Sequence, residues 1–153
     1  MFRMRWTSIA LWLLALHGNG SAQERKPIFR HISIQPCGRI ELGARFRPML
    51  RAARQDDSTF RLIPQCFGDA EQILVHVSPQ MLVTSFDFSY AEGDSLALFV
   101  AEYRQSLGPP ISVDTTGQGV HAVVWRDDRT MFTLLRRKAG ATVRTYARLA
   151  DRR

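Results

Sequence analysis

The sequence predicts an α+β fold: one two-layer domain in which a mostly antiparallel β-sheet has one main helix, at about residues 95–107, packed on one face. Three observations lead to this prediction. Several segments alternate apolar and polar residues with the period of two that a half-buried strand shows. One segment repeats apolar residues at the i, i+3, i+4, i+7 spacing of an amphipathic helix. The C-terminal third contains three strand-like segments joined by short turns, which predicts a three-stranded meander.

The first 22 residues have the three parts of a secretory signal peptide. Arg3 and Arg5 precede an apolar run over residues 9–16, and small residues follow up to Ala22. The alternative is a membrane anchor, but this run falls far short of the roughly 20 residues that a spanning helix needs. We therefore expect cleavage after about Ala22, a single domain over residues 23–153, a periplasmic or secreted location, and no stable membrane insertion after cleavage.

Export changes how the two cysteines are interpreted. An oxidising compartment favours a Cys37–Cys66 disulfide, whereas a metal or thiol site would need a Cys-x-x-Cys pair or a neighbouring His. Closing a loop of this length adds about 3.5 kcal/mol to stability in the chain-entropy model. Two free thiols are the alternative, which a thiol titration with and without reductant distinguishes.

The charge suggests an anionic partner, but the composition limits that interpretation. The formal net charge is +7, Arg outnumbers Lys 19 to 2, and the single Asn is Asn19. Lys and Asn codons are AT-rich, so this composition is typical of a GC-rich bacterial genome whatever the function. An exported protein also meets little nucleic acid, so we expect no nucleic-acid partner.

The N-terminal part of the mature chain predicts short elements. Residues 28–34 alternate as a strand, and Pro36-Cys37-Gly38 ends it. Pro48 suits the first turn of a short helix, which we expect to run to about Arg54. Residues 60–63 then form a short strand that leads to the second cysteine.

Residues 73–90 predict a β-hairpin around Ser78-Pro79-Gln80. The alternation of the second strand predicts an apolar side with Leu82, Thr84, Phe86, Phe88 and Tyr90, and a polar side with Val83, Ser85, Asp87 and Ser89. A four-residue loop over 78–81 places His76 on the polar side, whereas a slip of one residue would reverse its side.

The helix over 95–107 has a capping residue, Asp94, and an apolar stripe. Gly108-Pro109-Pro110 ends it. Its stripe suits the phenylalanine face of the hairpin, and it consists of Leu96, Phe99, Val100, Tyr103 and Leu107.

A strand over 111–113 precedes the meander, whose strands we expect at 120–125, 130–137 and 142–149, with turns at 126–129 and 138–141. Pairing across these turns predicts a core-facing set: His121, Val123, Trp125, Phe132, Leu134, Val143, Ala147 and Leu149. The opposite face carries the candidate binding residues, Met131, Thr133, Leu135, Arg137, Arg144, Tyr146 and Arg148.

Two interpretations of that second face remain open. It can be the solvated side of a strand, with Arg stems lying over Tyr146 and Leu135. It can also be a binding surface, because Met, Tyr and Arg are the residue types enriched where proteins bind proteins.

Catalytic and metal-binding patterns are weak. His76, Ser85 and Asp87 could share a sheet face, but Ser85 lacks the Gly-x-Ser-x-Gly turn of hydrolases and an evident oxyanion hole. His31, His76 and His121 are isolated, without a His-x-His or His-x-x-x-His neighbour. We therefore expect no catalytic residue, metal or other cofactor.

The element order resembles in outline the small periplasmic two-layer domains that act as inhibitors or assembly factors, through general features only: a helix ending in Leu107-Gly108-x-Pro110 and a meander after it. The predicted export, the lack of an evident catalytic group and the sheet face with Tyr146, Met131 and its arginines favour a non-enzymatic protein-binding module of the bacterial envelope, with an envelope or secreted protein as its partner. By analogy of architecture, an inhibitor, immunity or assembly factor is its most concrete form. The alternatives are a binder of anionic envelope glycan or lipid headgroups and, third, a hydrolase.

Overall fold

A computed structural model describes residues 26–34, 38–48, 52–62, 70–91, 96–115, 121–139 and 141–153. The predicted signal peptide, both cysteines and the predicted cap Asp94 lie outside the described residues. The cleavage and the disulfide therefore stay predictions. The helix found in the described ranges lacks the length and the hydropathy of a membrane span.

The described part of the chain forms ten strands and one α-helix. They are β1 (His31–Ile34), β2 (Gly38–Glu41), β3 (Ala52–Arg54), β4 (Thr59–Leu62), β5 (Ala70–Val77), β6 (Val83–Tyr90), α1 (Leu96–Leu107), β7 (Ser112–Asp114), β8 (Ala122–Arg126), β9 (Thr130–Ala139) and β10 (Thr142–Asp151). Eight strands form one sheet in the order β3-β4-β5-β6-β10-β9-β8-β7, and β1 pairs with β2. Each strand pair is antiparallel.

This architecture confirms the coarse prediction of a mostly antiparallel α+β fold with one helix and two layers. The chain runs from the β3 edge inward to β6, crosses through α1 to the β7 edge, and returns inward to β10. The last strand of each four-strand run therefore meets the other at the centre of the sheet, where β10 pairs with β6.

One face of the sheet carries the hydrophobic core. Phe86, Phe132, Leu134 and Leu149 are almost completely buried there. The rings of Tyr103, on α1, and Phe132, on β9, lie 4.5 Å apart between centroids. Burial of such aromatic and aliphatic side chains supplies most of the free energy that favours folding.

Aromatic residues of the N-terminal segment contact rings of the core. Phe29 stacks against Tyr103 and contacts Phe132, and Phe46 contacts Phe60 on β4. The face with the core, where the rings of Phe29, Phe46 and Tyr103 make these contacts, is called the covered face below. The opposite face is called the open face, since these ring contacts all lie on the covered one.

A polar network fastens the N-terminal segment to the β9 and β10 ends. The Ile28 backbone N–H donates to Asp127 Oδ2 at 2.8 Å, and Arg30 Nη1 donates to Thr130 Oγ1 at 2.7 Å. Burial alone would raise the pKa of Asp127. Backbone N–H donors, including that of Ile28, and the nearby Arg30 charge have the larger, opposite effect, so the pKa is lowered below its ordinary value of 3.8. The ionised Asp127 carboxylate therefore stabilises the folded protein.

Helix α1 ends at Leu107, as predicted. Gly108 has a φ of 84°, a left-handed conformation that glycine adopts without a Cβ penalty, and its N–H donates to the Arg104 carbonyl. Its own carbonyl accepts a hydrogen bond from the buried Trp125 indole N–H at 2.9 Å. The helix end is therefore tied to β8.

The predicted short helix that ends near Arg54 is wrong over residues 52–54. These residues form β3, which pairs with β4. The residues between the two strands make a turn in which Asp56 Oδ1 accepts from the Ser58 N–H at 2.8 Å. Such Asx turns compete with helix, so the local sequence favours a hairpin. A further strand, β2, was missed because its hydrophobic signal is a single buried residue, Ile40.

The predicted alternation of β6 is also wrong at its start. His76 pairs with Ser85 while Val77 pairs with Val83, so Thr84 is an extra, bulged residue. Val83 is consequently buried and Leu82 exposed, the reverse of the prediction. The physical reason is a contact distant in sequence, because the backbone of Val83 exchanges hydrogen bonds with residues 43 and 44.

Candidate functional site

The structure brings all seven candidate binding residues together on the open face. Across β9 and β10, Leu135 is directly opposite Tyr146, Thr133 is opposite Arg148, and Arg137 is opposite Arg144. Met131 is opposite Ala150 at the far end of the same pair of strands. The residues alternate with core residues such as Leu134 and Ala147, so the period of two explains why they share a side.

The centre of this group is apolar and partly accessible. Leu135 and Tyr146 are half-buried, and Met131 is 36% exposed. Val124, on β8, lies opposite Thr133 and extends the apolar area. Val124 was not among the predicted site residues, although the burial of Val123 and Trp125 places it on the open face by alternation.

Two of the arginines form ion pairs with acidic residues on β5 and β6, in the other half of the sheet. Arg144 Nη1 lies 2.9 Å from Glu71 Oε2, and Arg148 Nε lies 3.6 Å from Asp87 Oδ1. All four side chains are partly exposed, so each pair contributes about 0–1 kcal/mol to stability. Their main consequence is therefore to orient the guanidinium groups over the sheet.

Other basic side chains of the open face are not neutralised in this way. Arg137 on β9 is exposed, and so is Arg126 at the end of β8, opposite Met131. In the ranges that the structure describes, neither guanidinium has a hydrogen bond or an ion pair. The part of the open face formed by β8, β9 and β10 thus has an apolar centre, two paired arginines and two unpaired ones.

His76, Ser85 and Asp87 lie close together on the open face, but not as a catalytic triad. His76 Nε2 is 2.9 Å from Asp87 Oδ2, and His76 Nδ1 is 3.3 Å from Thr59 Oγ1. Both imidazole nitrogens therefore have partners other than the serine. Ser85 Oγ instead accepts a hydrogen bond from Arg148 Nη2 at 3.4 Å, and Ser85 is only 2% exposed. A buried hydroxyl without a base is not activated as a nucleophile.

Asp87 connects His76 to Arg148 of the candidate binding residues. Its Oδ1 atom is buried and has no hydrogen-bond partner among the described residues, but it faces the Arg148 guanidinium at ion-pair distance. Its other oxygen is held by His76. The carboxylate therefore positions Arg148 beside the apolar centre.

The histidines lie on separate elements. His31 is in β1, His76 is in β5 and His121 directly precedes β8. In the described ranges no three His, Cys, Asp or Glu side chains are grouped so that they could hold a metal ion.

No protein-family model matches the chain, and neither the curated proteins nor the solved structures contain a match. The chain has an α+β fold, and its antiparallel sheet has one covered face and one open face.

Proposed function

We propose that this protein is a small exported, non-enzymatic protein-binding module of the bacterial envelope that binds an envelope or secreted protein through the open face of β9 and β10. An inhibitor, immunity or assembly factor is the most concrete form of this function. The observation that carries the proposal is the apolar centre of Leu135 and Tyr146, bordered by oriented arginines on the same face.

The arrangement matches the anatomy of protein interfaces. Such interfaces have an apolar core enriched in aromatic residues, Met and Arg, with a polar rim around it. Tyr146, Leu135 and Met131 supply the apolar part, and Arg137 and Arg148 lie beside it. Tyr and Arg are also the residue types that most often dominate binding energies.

The ion pairs favour a protein over an anionic polymer as the partner. A site for a polyanion needs guanidinium groups that are free to contact phosphate, sulfate or carboxylate groups. Arg144 and Arg148 are instead paired with Glu71 and Asp87. Charges of both signs on one face allow specific, complementary contacts to a protein surface.

The proposal includes the finer architecture and the location. We infer that α1, packed on the covered face, and the three-stranded meander of β8, β9 and β10 form a stiff support for the site. Pairs such as Tyr103 with Phe132 support this packing. The predicted signal peptide and the predicted Cys37–Cys66 disulfide suit a domain that works outside the cytoplasm.

A second candidate function is the binding of anionic envelope glycan or lipid headgroups. The net charge of +7 and the unpaired Arg126 and Arg137 favour it. Binding of this kind is electrostatic, so it should weaken steeply as the salt concentration rises.

Affinity capture separates the two candidates. The full chain is expressed so that processing occurs in the cell, immobilised after purification, exposed to envelope extract of the source bacterium, and washed at low and then high salt. We expect one protein retained near one-to-one through the high-salt wash. Release of acidic glycan or lipid by salt, with no protein retained, would contradict the proposal and favour the second candidate.

A further inference from the structure

A groove lies on the covered face, between α1 and the edge of the sheet formed by β7 and β8. Its volume is about 380 Å³. It is lined by Leu96, Ala97, Val100, Ala101, Arg104, Val113, Val123 and Arg136. The groove is separate from the site proposed above, because the side chains of Val123 and Arg136 lie on the opposite face of the sheet from those of Leu135 and Arg137.

The interior of the groove is aliphatic. Val123 forms a fully buried floor, Val100 of α1 is half-buried, and Val113 of the edge strand β7 is 41% exposed. A volume near the lower end of the roughly 300–1,000 Å³ typical of small-molecule sites suits a slender ligand. Among the described residues, the lining has no aromatic ring that would select a flat ligand.

Of the described lining residues, the polar ones are both cationic. Arg104, in the last turn of α1, and Arg136, on β9, are the charged residues of the lining, and both are exposed. Within the described ranges, neither guanidinium has a hydrogen bond or an ion pair. Two unpaired cations beside an apolar slot are complementary to one anionic group attached to an apolar chain.

We propose that this groove binds a free, single-chain aliphatic carboxylate. Its chain would lie along Val100, Val113 and Val123, and its carboxylate would accept hydrogen bonds from Arg104 and Arg136. Burial of the chain supplies the hydrophobic part of the affinity, and the two guanidiniums select the anionic head. The small volume favours one chain over the two of a membrane lipid.

Calorimetric titration with decanoate, below its micelle concentration, tests the head-group selection. The protein is produced from the full chain, and decyltrimethylammonium serves as the probe with an equal chain and the opposite charge. We expect one-to-one binding of decanoate and at least tenfold weaker binding of the cation. Equal binding of the two probes, or no decanoate binding, would overturn the proposal.

Charge variants locate the head group. Arg104→Gln and Arg136→Gln should each weaken decanoate binding roughly threefold to fivefold, as expected for partly solvated charge contacts. Arg61→Gln, which removes an exposed arginine of β4 outside the groove, is the matched control and should leave binding unchanged. An equal loss from all three variants would mean a nonspecific charge effect and would overturn the assignment.

A steric pair of variants locates the chain. Ala101→Trp places a large ring in the groove and should abolish decanoate binding, whereas Leu98→Trp lies outside the lining, at a position 73% exposed, and should not change it. The melting temperature of each variant shows whether it is folded. Full decanoate affinity in folded Ala101→Trp protein would place the chain elsewhere and overturn the proposal.

Discussion

Arg30 is predicted to be a main connection between the N-terminal segment and the sheet. Its Nη1 donates to Thr130 Oγ1 at 2.7 Å and to the Arg129 carbonyl at 3.1 Å, and its Nη2 donates to the Leu42 carbonyl at 3.3 Å. The same guanidinium is paired with Asp151 at 3.3 Å. The two charged side chains are only 16% and 12% exposed, so both are largely removed from water.

Arg30→Gln should therefore lower the free energy of unfolding by about 3–5 kcal/mol. This is the cost of breaking a largely buried ion pair by removing one partner, because the other charge is left without compensation. Arg39→Gln is the matched control. Arg39 pairs with Glu41 at a similar distance, 3.2 Å, but these side chains are 57% and 46% exposed, so we expect a loss below about 1 kcal/mol.

Urea unfolding at pH 7, followed by fluorescence of the buried Trp125, measures both variants. The Arg30→Gln, Asp151→Asn double variant should be less destabilised than the sum of the two single variants, since removal of both charges leaves neither unpaired. A loss below 1 kcal/mol for Arg30→Gln, or equal losses for Arg30→Gln and Arg39→Gln, would refute the reasoning.

Three further predictions concern other parts of the fold. Trp125→Phe removes the indole donor to the Gly108 carbonyl and reduces packing, and should destabilise by about 2 kcal/mol in urea unfolding followed by far-UV circular dichroism; an unchanged midpoint would contradict a stabilising role for this hydrogen bond. Asp127 has a lowered pKa in the folded protein, so its stabilisation is present at pH 7 and lost as pH falls through that pKa. Asp127→Asn should be less stable than the parent by about 1 kcal/mol at pH 7, with a gap that closes below about pH 4, and a constant gap would contradict this explanation. Thiol titration of unfolded protein should find no free thiol before reduction and two afterwards if Cys37 and Cys66 are joined, whereas two thiols before reduction would remove the disulfide from the account.

The strong periodic signals of the sequence predicted the elements best. The helix stripe and its Gly108 end predicted α1, because both signals are local to the helix. The alternation of residues 130–149 predicted which side chains share the open face, because the face on which a side chain lies does not change when the predicted end of its strand is slightly wrong. The start of β6 was not predictable in this way, since its bulge depends on residues 43 and 44, far away in the chain.

The partners of the site residues were beyond sequence reasoning for the same reason. Arg144 and Glu71 are 73 positions apart, and their pairing requires β10 to lie beside β6 at the centre of the sheet. No periodic pattern encodes that neighbour relation. The groove depends likewise on contacts distant in sequence, because its lining residues come from α1, β7, β8 and β9.

The open face is most directly tested by the affinity of the captured partner for two single variants. Tyr146→Ala removes the half-buried aromatic side chain at the apolar centre, and Leu98→Ala, the control, removes an exposed apolar side chain from α1. We predict that Tyr146→Ala weakens binding about 30-fold while its stability stays within about 1 kcal/mol of the parent, and that Leu98→Ala binds as the parent does. Unchanged affinity of Tyr146→Ala, or equal losses for the two variants, would contradict the assignment of this face as the binding surface.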